Sequence, residues 1–249
     1  MNRTLRAVAA VMLMMVFSVG CQKPGEPDNE EDNGSQQAFV VPHNGGGDTI
    51  ACEYVDLGLP SGTLWAACNV GANRPEEFGD YFAWGETAPK DYYSWSNYAY
   101  GDTINGHFAM NKYCTDSGWG FHGFVDSLTV LQRADDAARV NWGADWRMPT
   151  KEEMEELYQN TTFTWTALNG VEGRLMTGPN GNSIFLPASG FYLDNEVICP
   201  GLGIYWSNTL HSGFPERGWS FHFDYEECHV CGTYERCRGQ VVRAVRSSN

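Results

Sequence analysis

Between residues 222 and 237 the chain gathers His222, Cys228, His229, Cys231 and Cys237, the densest run of side chains able to do chemistry. Cys228-x-x-Cys231 with Cys237 and either histidine would supply the four N or S ligands that zinc takes. Two of the same thiols would suit Cu(I). In an oxidising compartment two of the three would pair as a disulfide, leaving the third to bond Cys199 or stay free. Elsewhere the sequence is chemically quiet. No Ser/His/Asp set, no meaningfully spaced pair of carboxylates and no phosphate-cradling glycine loop is present, and His107, His122 and His211 stand apart as loop residues. A non-enzymatic protein without resident metal or cofactor is expected.

The broader stretch from Asn208 to Arg238 mixes those cysteines and histidines with Phe214, Phe221, Phe223, Tyr225 and Tyr234 among Gly, Ser and Arg. Aromatic and adaptable polar residues are what recognition loops are made of. Asn208, His211, Phe214, His222, Asp224, His229, Tyr234 and Arg236 are therefore the candidate ligand contacts, with aromatics supplying area and polar groups orientation.

The N-terminal end indicates where this chemistry would take place. Arg3 and Arg6 precede an apolar run from Ala7 to Val19, and Gly20 stands directly before Cys21. This is the layout of a secretory signal over residues 1–20, too short to span a bilayer. The small residue before the cysteine resembles a bacterial lipobox, which makes Cys21 the expected lipid attachment site. Ser18 replaces the usual aliphatic residue, so an ordinary cleaved signal is the alternative. Residues 21–48 are rich in Pro, Gly, Asn and acids and read as a flexible acidic tether, with residues 49–249 as the domain. The early acids Glu26, Asp28, Glu30, Glu31 and Asp32 resemble an export signal to the outer face of the outer membrane; a solvated linker is the bland alternative.

Loss of residues 1–20 removes two arginines and no acid, leaving 14 basic and 31 acidic residues and a formal charge of −17. Nucleic acid is excluded as a partner on that balance. The expected partners are a protein or glycan ligand, and a membrane through the lipid anchor only.

The elements that must position the loops are short. Glu53–Leu59 alternates before the Pro60-Ser61-Gly62 turn, and Leu64–Val70, Ser183–Ala188, Gly203–Trp206 and Gly239–Arg246 read as further strands. Trp219–Glu226 alternates strictly, with Trp219, Phe221, Phe223 and Tyr225 on a core face and Ser220, His222, Asp224 and Glu226 facing outward. Leu131–Trp142 has helical spacing. Thr150 with Glu153 is a capping box that starts a second helix carrying Met154, Leu157 and Tyr158. The pattern is α+β.

Six blocks occur in order: EYVDLGLPSGTLWA from Glu53, GDYFAWGE from Gly79, DWRMPTKEEMEEL from Asp145, SIFLPASG from Ser183, YWSN from Tyr205 and VRAVR from Val242. They resemble the Fibrobacter succinogenes major paralogous domain family across nearly all of residues 53–246. The resemblance implies a C-type-lectin-like fold, two short helices with a twisted antiparallel sheet and long loops, shared with formylglycine-generating enzymes. Trp206-Ser207-Asn208 falls where that fold carries a calcium element, but no carboxylate follows, so no calcium site is carried over. Relatives of the fold include targets of diversity-generating retroelements, and the Cys and His load of Asn208–Arg238 fits such a history. Two further alternatives stand beside a binding module: a copper oxidase using Cys228, Cys231 or Cys237, and an adhesin or structural envelope component. Trp84, Trp146 and Trp206 are expected in the core, Arg147 and Arg243 as internal struts, and Gly79, Gly85 and Gly190 in tight turns.

Overall fold

The structure, a computed structural model, describes residues 37–42, 49–104 and 107–248. The expected signal sequence over residues 1–20, the expected lipid site Cys21 and residues 22–36 lie outside the described residues. All that is described belongs to one compact unit, Asn33–Asn249.

In chain order the elements are β1 (Gln37–Pro42), β2 (Thr49–Asp56), β3 (Leu64–Ala66), β4 (Gly101–Ile104), β5 (His107–Met110), α1 (Ala137–Trp142), α2 (Lys151–Asn160), β6 (Thr162–Leu168), β7 (Val171–Thr177), β8 (Ser183–Pro187), β9 (Phe191–Leu193), β10 (Glu196–Ile198), β11 (Gly203–Leu210), β12 (Arg217–Phe223), β13 (Cys228–Glu235) and β14 (Val245–Arg246). They form small sheets, ordered β1-β2-β3-β14, β6-β7-β8 and β11-β12-β13, with hairpins β4-β5 and β9-β10. Every paired strand is antiparallel. The protein is thus α+β with little helix, as its sequence pattern implied.

Several boundaries differ from the sequence reading for local reasons. β1 lies inside the stretch read as tether and pairs with β2 from Gln37 opposite Tyr54 to Pro42 opposite Thr49. Its Phe39-Val40-Val41 core is the one apolar run there. The first helix is shorter than its apolar spacing implied, because Asp136 turns its carboxylate onto the Arg139 N–H and caps the helix there. Leu131 instead joins β11 through the Asn208 carbonyl. α2 begins where expected, with Thr150 and Glu153 satisfying each other's backbone N–H groups. The final strand is reduced to Val245–Arg246; Gly239, Gln240 and Val241 make single bridges to Tyr192, Phe82 and Tyr205.

Both faces of β12 are covered, which corrects the expectation of an outward face. Phe221 and Phe223 pack with Met154 and Leu157 of α2, Trp65, Tyr205 and Val245. On the opposite side Ser220 donates to Gln240 Oε1, and Gly218 is so close to Trp84 that a Cβ would lie 2.7 Å from its ring. A second cluster holds Trp84, Trp146 and Trp206 with Phe82, Tyr113 and Val242. Burial of such rings supplies the main apolar gain.

Two arginines tie segments of the chain together. Arg243, 1 % exposed, donates to Asn69 Oδ1 and to the carbonyls of Ala66, Ala67 and Phe185. Arg147 forks onto Glu153 at 2.5 and 2.6 Å, tying the strand-like 147–148 segment to the α2 cap. Gly79, at φ +72°, sits in a tight turn where a Cβ would lie 2.3 Å from the Val70 carbonyl oxygen.

Candidate binding surface

The candidate contacts do not converge on one surface. β12 runs from Arg217 to Phe223, a span of about 20 Å at the usual strand rise. The loop before it and the turn after it therefore lie at opposite ends.

At the first end, the β11–β12 connection carries His211 and Phe214. His211 Nδ1 accepts the backbone N–H groups of Gly213 and Phe214, both at 3.0 Å, which closes the loop on itself. Its ring stacks 4.8 Å from Trp219 at 27° and lies 5.1 Å from Phe214. Burial of the ring holds the imidazole below its ordinary pKa, so Nδ1 stays available as an acceptor. Lys151, the first residue of α2, places its ammonium 4.7 Å over the Trp219 ring and pairs with Glu155 at 2.6 Å. Phe214 is 54 % exposed and Trp219 half-buried. An exposed aromatic stack bordered by a cation results, suited to a partner with both apolar and acceptor groups.

Sequence reading assigned Trp219 to the core by strand alternation and did not single out Lys151. Trp219 does lie beside α2, but toward the start of β12, where the Lys151 ammonium lies over its ring. A long polar residue directly after the Thr150 cap was the available signal.

At the far end, Asp224 Oδ1 accepts the N–H groups of Glu226 and Glu227 at 2.7 Å each, and these bonds hold its carboxyl below the usual range. Its backbone carbonyl receives Arg174, whose guanidinium is buried and lies 4.8 Å over Phe163. Asp224 thus shapes the turn, and the exposed Tyr225 leans edge-on against Trp165 at 6.1 Å. His222 is half-buried, its ring against Gly232 and 6.4 Å from that of Tyr234. Tyr234 in turn packs 5.6 Å from Phe191. His229 lies in β13 opposite His222; its side chain is outside the described part.

Two candidates are corrected. Arg236 is 0 % exposed and cannot meet a surface ligand. Its guanidinium is enclosed by the rings of Trp84, Tyr98 and Tyr113 at 5.0, 5.1 and 5.8 Å. It donates to the Tyr98 hydroxyl, the Met110 sulfur and the carbonyls of Lys112, Tyr113 and Pro215. Asn208, 5 % exposed, is also internal: its amide donates to the Met148 carbonyl and its oxygen accepts from Thr209. Both serve as ties between loops, because a buried carbonyl must find a donor.

The cysteines are likewise dispersed. Cys114, Cys199, Cys228 and Cys237 carry unbridged thiols, so the disulfide expected between two of Cys228, Cys231 and Cys237, with the third bonded to Cys199 or free, is not formed; the Cys231 side chain is outside the described part. Cys228 belongs to the cluster of α2 and β12, whereas Cys237 packs with Tyr93 and Tyr98 in another. Burial pushes each of these thiols up to about 12, far from the thiolate a soft metal needs. Among the described residues, no three His, Cys, Asp or Glu side chains are grouped to hold a metal ion. Also among the described residues, no helix is long and apolar enough to cross a membrane.

No family model, no curated protein and no solved structure matches this chain.

Proposed function

We propose that the chain is a non-enzymatic binding protein, anchored through a lipid on Cys21 at the outer face of the outer membrane. Its domain is read as C-type-lectin-like, on the six sequence blocks that resemble the Fibrobacter succinogenes major paralogous domain family. The recognition surface is the stack of His211, Phe214 and Trp219 beside Lys151, and the ligand is a protein or glycan.

The observation that carries this reading is the solvent-facing stack itself. A domain that buries Trp65, Trp84 and Trp206 completely leaves Phe214 more than half exposed on a loop fixed by two hydrogen bonds to His211. Preorganised exposed aromatics favour recognition, since little side-chain entropy remains to be lost on binding. The separation and burial of Cys228 and Cys237 weigh against the oxidase alternative. Burial of Arg236, Cys228 and Cys237 also weighs against diversification at those positions, because a varied residue must reach its ligand.

The test is an array of glycans and extracellular proteins probed with the full mature chain. Binding to a ligand should fall about tenfold or more in Phe214→Ser and in Trp219→Ser. It should persist in Tyr225→Ser at the opposite end. Ligands that respond only to Tyr225→Ser would defeat the placement.

A further inference from the structure

Strand β6, Thr162–Leu168, lies at the margin of its sheet and pairs with β7 alone, over seven residues with no break in register. Alternation in an antiparallel ladder leaves about half of its N–H and C=O groups pointing away from β7. Among the described residues, no hydrogen bond links those groups to another segment. Such an edge is a template for another strand, and proteins blunt theirs with charge, proline, a bulge, shortness or a cover. The other edges obey this. β1 and β8 carry Pro42 and Pro187, β4, β10 and β13 carry Asp102, Glu196 and Glu235, and β5, β9, β11 and β14 are bridged by residues from outside their sheets. β6 reads Thr-Phe-Thr-Trp-Thr-Ala-Leu, without charge, proline or bulge, and Thr162, Phe163, Thr164 and Ala167 are exposed.

This strand is complementary to itself. Set antiparallel to a second β6 about a two-fold axis through Trp165, all seven residues overlap. Thr164 then faces Thr166 of the other copy, Phe163 faces the small Ala167, and Thr162 faces Leu168. Thr–Thr and aromatic pairs are favourable across strands, and no charge meets a charge. The nearest charges stay one strand back on β7, Glu172 beside Ala167 and the buried Arg174 beside Trp165, where Arg174 is held by the Asp224 carbonyl. On the face that Phe163 and Trp165 share, Phe163 stacks on Tyr158 at 5.7 Å and Trp165 meets Tyr225 edge-on at 6.1 Å. Phe163 is 38 % and Tyr225 72 % exposed, so this aromatic row reaches the open edge, and a two-fold partner continues it across the axis. The chain's own residues 22–36 do not fit the edge, since they hold Pro24 and Pro27 and no aromatic or β-branched side chain.

We propose that β6 is a dimerisation edge, at which two copies of this chain pair antiparallel into one sheet ordered β8-β7-β6-β6-β7-β8. The contact is isologous, with the same strand on both sides. Seven residues a side fall well short of the 20 to 30 or so of a standard interface, so the pairing is weak, with a Kd of about 10–100 µM. Each copy carries a formal charge of −15, so the dimer tightens as salt screens the repulsion between copies.

The test is sedimentation velocity of the full mature chain, unacylated at Cys21 and under reductant so that the exposed Cys199 forms no cross-link, over about 1–300 µM. A monomer–dimer equilibrium that tightens at least about twofold between low and physiological salt is expected. Amide hydrogen exchange at residues 162–168 should slow as the dimer fills. Thr164→Lys with Thr166→Lys sets lysine against lysine twice across the axis and should weaken the dimer about tenfold, although it makes the chain less acidic. Thr164→Lys with Thr166→Glu sets lysine against glutamate twice and should restore it. Circular dichroism of each variant checks that the fold is intact. Monomer throughout the range, equal loss in both double variants, or a dimer whose 162–168 amides exchange as in the monomer would overturn the proposal. So would a chain that stays monomeric yet protects the same amides on addition of an acetylated Thr-Val-Thr-Val-Thr peptide, which would give the edge to another protein. None of these results bears on the Phe214 surface.

Discussion

Arg236→Met separates a structural guanidinium from a ligand-binding one. The substitution keeps an apolar stem of similar length and deletes five hydrogen bonds. Two buried carbonyls, of Tyr113 and Pro215, and the partly buried one of Lys112 lose this donor, at about 1–3 kcal/mol for each buried one where no other donor replaces it. Loss of the cation from the Trp84, Tyr98 and Tyr113 rings removes about 2 kcal/mol more. Relief of the guanidinium's own desolvation, several kcal/mol, offsets part of this, so a net loss of about 4 kcal/mol is expected. That is a large share of the about 5–15 kcal/mol that stabilises a domain. For a domain of about 200 residues it corresponds to a fall in Tm of about 8–16 °C, read by circular dichroism. A fall under about 3 °C together with lost ligand binding would refute the argument and return Arg236 to the surface.

Three further outcomes follow from the same geometry. Thr150→Ala removes one side of the α2 capping box and should destabilise the domain by about 1 kcal/mol in urea titration; an unchanged midpoint would mean the cap bond is not formed. His211 has its folded pKa below the unfolded value of 6.5, with Glu216 and Arg217 as the charged groups acting on it. The folded chain thus binds that proton less readily, so this contribution to stability is present above the unfolded pKa and is lost as pH falls through the folded one. Amide NMR should show Gly213 and Phe214 shifting together with His211 titration, and their indifference to pH would contradict the two hydrogen bonds. Iodoacetamide at pH 8 should modify the exposed Cys199 well before Cys228 or Cys237 in the native protein; similar rates at all three would contradict the burial and raised pKa of the latter two.

How far the sequence reveals each of these features depends on the range over which it is determined. The α2 cap is legible because Thr150 and Glu153 are three residues apart and satisfy each other. Arg147 and Arg243 are legible as struts because each stands beside apolar neighbours in a strand-like run. The start of α1 is not, since Asp136 overrides an apolar spacing that begins at Leu131. Arg236 is misread for a different reason. Its partners Tyr98 and Met110 lie 138 and 126 residues away, so no local pattern distinguishes a caged guanidinium from an exposed one. The same holds for β12, whose second covered face depends on Trp84 and Gln240 arriving from elsewhere in the chain.

The Arg243 tie also sets an order of events. Its guanidinium fastens Ala66, Ala67 and Asn69 to Phe185, while Val245 next to it pairs with Trp65 in β3 and bridges Arg147. A nascent chain that has not yet delivered residues 240–246 therefore has β3 paired on one side only, with β2, and four acceptors without their donor. Such closure between distant segments is slow, and it keeps the earlier strands from locking prematurely. A protein built this way completes its packing only once its C-terminal segment is in place.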